Sequence, residues 1–237
     1  MSTFLQLCID AQRECDITGP AISAVTNQSG ELNRIVNWVA QAWIEVQNRH
    51  TDWRWMRSRY TLNLAANVDS YAGAVAVDEL SGNPVTRFAR WLLFDDRGAS
   101  NVKIYLQSAG KGTERWMSFL DWASFREIYK RGIVPNAPPA HYTLDPQNNL
   151  VFGPSPDAVY IASGEYMKSA QPLAAEGDVP ECPARFHQVI VYMAMQKYAG
   201  FESAPEVMAR GIKEGNRIAR QLENDQLAPV ALAAPLA

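Results

Sequence analysis

His50 stands two residues before Asp52, His141 four before Asp145, and Asp95 adjoins Asp96. An imidazole beside a carboxylate is the pairing that moves protons in general acid–base catalysis, and paired carboxylates cleave glycosidic bonds. Either pairing needs a fixed separation inside a pocket. None of the three has a motif around it, and Asp95 and Asp96 would point in different directions on an extended chain, so "FDDRGAS" reads as a solvated turn. The three cysteines, Cys8, Cys15 and Cys182, make no C-x-x-C pair, and a zinc site would have to draw four ligands from them and three scattered histidines. On a helix Cys8 and Cys15 would share a face but lie ~10 Å apart, beyond disulfide reach, so all three read as reduced, small, buried hydrophobes. "AGKG" at residues 109–112 puts a lysine between glycines without the spacing that cradles a phosphate, and His187 sits in an apolar helix, where a satisfied core or interface histidine is the ordinary reading. Nucleophile-elbow, phosphate-loop, zinc-helix and dinucleotide-loop motifs are all missing. No catalytic residue, cofactor or metal is expected.

The other chemistry-bearing stretch is aromatic and basic. Four of the seven tryptophans, Trp38, Trp43, Trp53 and Trp55, crowd into "NWVAQAWIEVQNRHTDWRW", interspersed or followed by Arg49, Arg54, Arg57 and Arg59. Such a segment would stack on nucleic acid or form a protein–protein hot spot. The formal net charge of −3 favours the second reading, because a dedicated nucleic-acid binder gathers a basic excess.

The elements that would carry these residues follow from periodicity. Phe4, Cys8, Ala11 and Cys15 make a helix stripe with Ser2 or Thr3 as N-cap; Leu32, Ile35, Val36, Val39, Trp43 and Val46 make a second, with Trp38 off its face. From Ser58 to about Ala170 the runs are short and alternating, as in Tyr60, Leu62 and Leu64 against Arg59, Thr61 and Asn63. "HYTLDPQNNLVFGPSPD" reads as a hairpin turning at Asp145–Asn149. One helix interrupts the strands, carrying an aromatic stripe of Phe119, Trp122, Phe125 and Tyr129 to lie on a sheet. Helical periodicity returns at Pro183 with "ARFHQVIVYMAMQKYAG", apolar on nearly every side, and then a helix with a Ser203/Glu206 capping box, Pro205 in its first turn, and Gly211 and Gly215 on one face, where another helix or chain approaches closely. "NDQLAPVALAAPLA" reads as an extended tail. The fold class expected is α+β: a helical bundle from both chain ends (1–57 and 171–224), a β-rich insertion with one helix (58–170) and a C-terminal tail (225–237). The N-terminus lacks the features of a signal peptide, and no stretch reaches the ~20 apolar residues of a membrane span, so cytosolic synthesis is expected.

"QSGELNRIVNWVAQAWIEVQ" with "DWRWMR", "PQNNLVFGPSPDAVYIASGEYMKSAQPL", and "VPECPARFHQVIVYMAMQKYAGFESAPE" together resemble the head-to-tail adaptor (connector) proteins of tailed bacteriophages, the group that includes tail tubular protein A of short-tailed phages. The likeness runs in order over most of the chain; "AGAVAVDELSGNPVTRFARW" departs from it, which leaves tail-facing contacts unassigned. The resemblance implies a structural virion protein at the head–tail junction, assembled in the host cytoplasm. Roughly a dozen copies would form a ring with heterologous interfaces beneath the portal protein, meeting other tail and collar proteins and letting DNA pass without sequence-specific binding. It implies a portal-binding tail, here Leu227, Pro229, Val230, Leu232, Pro235 and Leu236. Candidate subunit-interface residues are Trp38, Val191, Met195, Tyr198, Gly211 and Gly215. A cell-wall hydrolase and a nucleic-acid-binding module are the alternatives.

Overall fold

The computed structural model describes residues 1–228, and the chain divides into two compact units, Met1–Met56 with the chain from Ala170 onward, and Arg57–Ser169. Five helices are present among the described residues: α1 (Phe4–Glu14), α2 (Gly30–Asn48), α3 (Trp122–Tyr129), α4 (Gln188–Glu202) and α5 (Pro205–Gln226). The fold class is α+β.

In the first unit α4 is the centre, with α1, α2 and α5 packed on it. That is why its sequence lacks a polar face: Val189, Ile190, Val191, Ala194, Met195 and Ala199 point to several sides and all are buried. α2 contributes Ile35, Val36, Val39, Ala42, Trp43 and Val46 to the same core, and α1 contributes Phe4, Leu7, Cys8 and Ala11. Thr3 caps α1 by accepting from the Gln6 N–H at 3.2 Å, while the Phe4 and Leu5 N–H groups donate to Asp178 O and Glu176 O.

α4 and α5 are joined by only two residues. Ser203 is left-handed (φ 54°) and closes α4, so the capping box expected at Ser203 and Glu206 does not form: Ala204 stands at the N-cap of α5, with no side-chain hydrogen bond. Pro205 does occupy the first helical position. The two helices run antiparallel at close range. A methyl group on Gly211 would lie 3.1 Å from Tyr192 O, one on Gly215 3.1 Å from Gln196 Nε2, and that Nε2 donates to Gly211 O at 3.1 Å. The glycine pair thus offsets its helix-propensity cost by admitting α4 of the same chain.

A buried glutamine fixes the irregular stretch before α4. Gln47, 1 % exposed, accepts from Gln171 N at 2.7 Å and donates to Gln171 O at 3.0 Å, while the Gln171 side chain accepts from Trp43 Nε1 (3.2 Å) and Glu181 N (3.1 Å) and donates to Val179 O (3.0 Å). Gln47→Leu would keep the volume and orphan two backbone groups, so it is expected to destabilise the unit by about 2 kcal/mol despite the added apolar area, measurable by urea denaturation.

The second unit has ten strands: β1 (Arg57–Leu64), β2 (Ser70–Tyr71), β3 (Val77–Asp78), β4 (Arg90–Leu92), β5 (Lys103–Leu106), β6 (Arg115–Trp116), β7 (Ser118–Phe119), β8 (His141–Leu144), β9 (Leu150–Gly153) and β10 (Tyr160–Met167). One sheet runs β3-β1-β10-β5-β6, with β4 also on β10, and the other runs β2-β9-β8-β7; every pairing is antiparallel except β7 with β8. Both sheets feed one core, containing Tyr60, Leu62, Leu64, Trp91, Ile104, Tyr142, Leu150 and Phe152. β1 alternates as its sequence demands, with Ser58, Tyr60, Leu62 and Leu64 inward. The β8–β9 hairpin turns at Asp145, whose carboxylate accepts from Gln147 N and Asn149 N, with Asn148 left-handed (φ 63°). α3 starts after Asp121, which caps it by accepting from Ser124 N at 3.0 Å, so Phe119 lies in β7 instead of on the helix stripe. Phe125 is fully buried, and it and Tyr129 press on the backbone of Gly153, where a methyl group would come within 2.8 Å of either ring.

Candidate functional site

The residues singled out for acid–base chemistry each have structural work. His50 Nε2 lies 3.1 Å from Glu223 Oε1, beside an Arg49–Glu223 ion pair at 3.3 Å, which ties the end of α2 to α5; Asp52 accepts from the Thr51 hydroxyl. His141 Nδ1 is 2.6 Å from the Tyr129 hydroxyl, four residues and ~13 Å of strand from the turn carboxylate of Asp145. Asp95 accepts from Arg97 N and Ala99 N and from the Arg97 guanidinium, hydrogen bonds that hold its carboxyl below the usual range, while Asp96 accepts from Arg57 at 2.9 Å. "AGKG" folds as a 3₁₀ turn at Lys111–Thr113 after Gly110 (φ 74°). Cys8, Cys15 and Cys182 are free and buried, and burial pushes each thiol up to about 12.

His187, 1 % exposed, accepts from Ser2 N at its Nδ1 (3.3 Å), so the ring proton sits on Nε2 and is donated to Cys182 O (3.1 Å). Burial lowers its pKa below the ordinary 6.5, because a second ring proton would put a desolvated charge in the core. Above pH 6.5 neither folded nor unfolded chain carries that proton. As the pH falls below 6.5 the unfolded chain takes it up and the folded chain refuses it, so stability is lost down to the lowered folded value. Thermal melts between pH 7.5 and 5 are expected to fall less steeply for His187→Gln, whose amide keeps one donor and one acceptor, than for the wild type.

Much of the tryptophan and arginine segment is engaged within the chain. Trp43 and Trp53 are buried, Trp53 donating to Val46 O and Gln47 O, and Trp55 stacks on Trp53 at 4.4 Å. Arg49, Arg57 and Arg59 are paired with Glu223, Asp96 and Glu79. Phosphate contacts would have to break these pairs first.

The expected subunit-interface residues fall into two groups. Val191 and Met195 are 0 % exposed, and Gly211 and Gly215 are spent on the α4–α5 crossing, so these four are enclosed by their own chain and offer a neighbour no surface. Trp38 and Tyr198 are half-buried and adjacent: their rings meet edge to face at 6.2 Å. Sequence reasoning missed two residues of this edge. Phe201, 51 % exposed, lies 5.8 Å from Trp38, and the Arg34 guanidinium lies 4.1 Å from the Phe201 ring. Their signal was the spacing, with Phe201 three residues after Tyr198 and Arg34 four before Trp38. Of the expected portal-binding residues only Leu227 is described, half-buried after the end of α5; Pro229, Val230, Leu232, Pro235 and Leu236 lie outside the described residues.

Among the described residues no group of three or more His, Cys, Asp or Glu side chains is placed to hold a metal, and no helix is long and apolar enough to cross a membrane. No curated protein matches the chain. The family model described as SU10 adaptor protein matches residues 2–233, across both units. The chain belongs to the SU10 adaptor protein family, phage head-to-tail adaptors that are components of the virion.

Proposed function

We propose that the protein works as a ring of roughly a dozen copies beneath the portal, extending the DNA channel towards tail and collar proteins, as the tail tubular protein A group does. In this reading the helices of both chain ends form a portal-facing bundle, the unit of Arg57–Ser169 faces the tail, and the segment from Leu227 attaches to the portal protein after assembly in the host cytoplasm. No turnover is required of any residue. The observation that carries the reading is the family match over both units at once, since a module borrowed for another purpose would match one of them. The tail's part in it rests on chemistry: residues 227–237 are apolar, uncharged and hold two prolines, a composition that fills a partner's groove with little loss of chain freedom.

Deleting residues 227–237 tests the attachment. The truncated chain is expected to melt like the full one and to lose co-purification with portal rings of its own phage. Undiminished co-purification would remove the tail from the proposal.

A further inference from the structure

The outer face of α5 carries Arg210, Lys213, Arg217 and Arg220, spaced three, four and three residues apart, which puts them in one line ~15 Å long opposite the buried line of Gly211, Gly215, Ile218 and Leu222. All four are exposed. Arg210 pairs with Glu14, and Arg217 with Glu214 at 2.8 Å; Lys213 and Arg220 have no ion pair among the described residues. The same unit carries the opposite charge elsewhere. Around the Trp38–Tyr198–Phe201 edge stand Glu31 and Glu202, with Asp16 nearby, all exposed and without an ion pair among the described residues. Tyr198 feels them: its pKa is raised, by burial first and then by Glu31, Glu202 and Asp16. A stripe of cations on α5 and an acid-rimmed aromatic edge on α2 and α4 are two distinct patches of opposite charge in one compact unit. That is the requirement for heterologous, head-to-tail association.

We infer that the basic stripe of α5 docks on the acid-rimmed edge of Trp38, Tyr198 and Phe201 of a second copy of this chain, its cations packing beside the half-buried Trp38 and Tyr198 rings, the Phe201 ring being held by Arg34 of its own chain, while Glu31, Glu202 and Asp16 take the charges. The inference deepens the ring reading and rests on it. Aromatic rings and arginine are the residue types that carry binding energy at such joints, and the carboxylates fix which face meets which.

Sedimentation velocity of the full chain at high concentration, at low and high salt, tests it. The wild type is expected to self-associate, less at high salt. Lys213→Glu with Arg217→Glu and Arg220→Glu, and separately Glu31→Lys with Glu202→Lys, are each expected to weaken association by at least roughly tenfold, with circular dichroism and melting unchanged. Mixing the two reversed proteins is expected to restore it, because each then offers the other a complementary face. Association that ignores both reversals, or fails to return on mixing, overturns this pairing and leaves the ring itself standing on other surfaces. A wild type that stays monomeric throughout overturns the pairing and the side-by-side reading together. Salt-dependent binding of duplex DNA by the wild type that the α5 reversal abolishes, with self-association untouched, reassigns the stripe to phosphates and also overturns it.

Discussion

Met195→Glu is expected to unfold the helical unit, whereas Tyr198→Glu, three residues further along α4, leaves it folded. Met195 has no exposed surface and sits in the core that α4 shares with its neighbouring helices. A carboxylate there has no cation to meet and no water, so it must either stay protonated or open the core, a penalty on the order of 5 kcal/mol. That is comparable with the whole stability of many domains, ~5–15 kcal/mol. Tyr198 stands at the half-buried edge, where a charged side chain reaches solvent; the loss is its contact with Trp38, about 1 kcal/mol, with some repulsion from Glu31 and Glu202. Circular dichroism melts and limited proteolysis separate the two variants. A Met195→Glu protein that melts like the wild type would show that α4 is not enclosed. A folded Tyr198→Glu protein that no longer joins particles would put the working surface at this edge, where the charge-reversal experiment also looks.

The contrast shows what was legible in the sequence. Periodicity reports which side chains of one element share a face, and so the stripes of α1 and α2, the alternation of β1 and the Asp145 turn are where local pattern puts them. It does not report what covers a face. An all-apolar helix such as α4 looks the same whether its cover is intramolecular or a neighbour, and only the packed chain shows that Val191 and Met195 are enclosed. The Ser203–Glu206 pattern failed for a related reason: with only two residues between helices, Ser203 was needed to end α4 and was unavailable to start α5. The segment 72–91, which departs from the adaptor resemblance, holds strands of two or three residues, too short for an alternation to register. Its anchor is Asp78, which accepts from the hydroxyls of Ser58 and Tyr166 and from Leu80 N and Ser81 N; burial opposes ionisation, yet these hydrogen bonds outweigh it and hold the carboxyl at about 2. Such a hub joins residues 58, 78 and 166, and no window along the chain contains all three. The proposed joining surface is half visible in the sequence: Trp38 breaks its stripe, while the α5 cations look like any solvated helix face until the acidic rim supplies a counterpart.

Gly164→Val is expected to do to the β-rich unit what Met195→Glu does to the helical one. β10 is the strand that β1, β4 and β5 all pair with, and Gly164 lies opposite Tyr60 in the β1–β10 register. The Tyr60 ring covers the glycine: a methyl group there would fall 2.9 Å from the Tyr60 hydroxyl and 2.7 Å from the backbone oxygen of Asn101. Tyr60 is 1 % exposed and cannot swing into solvent without emptying the core, and the Asn101 carbonyl belongs to the chain leading into β5. Valine adds two further methyl groups, so β10 would have to part from a neighbour, at a penalty of roughly 3 kcal/mol or more. Denaturation followed by aromatic near-ultraviolet dichroism, which reports Tyr60 and Trp91 packed at 4.7 Å, would read the loss. The same geometry makes Tyr60→Phe informative as its partner. The Tyr60 hydroxyl is buried with no hydrogen-bond partner among the described residues, so removing it should leave stability unchanged or raise it by up to about 1 kcal/mol. If Gly164→Val is tolerated while Tyr60→Phe destabilises, the hydroxyl has a partner and the ring does not lie over the glycine, and the central pairing of this sheet would need to be redrawn.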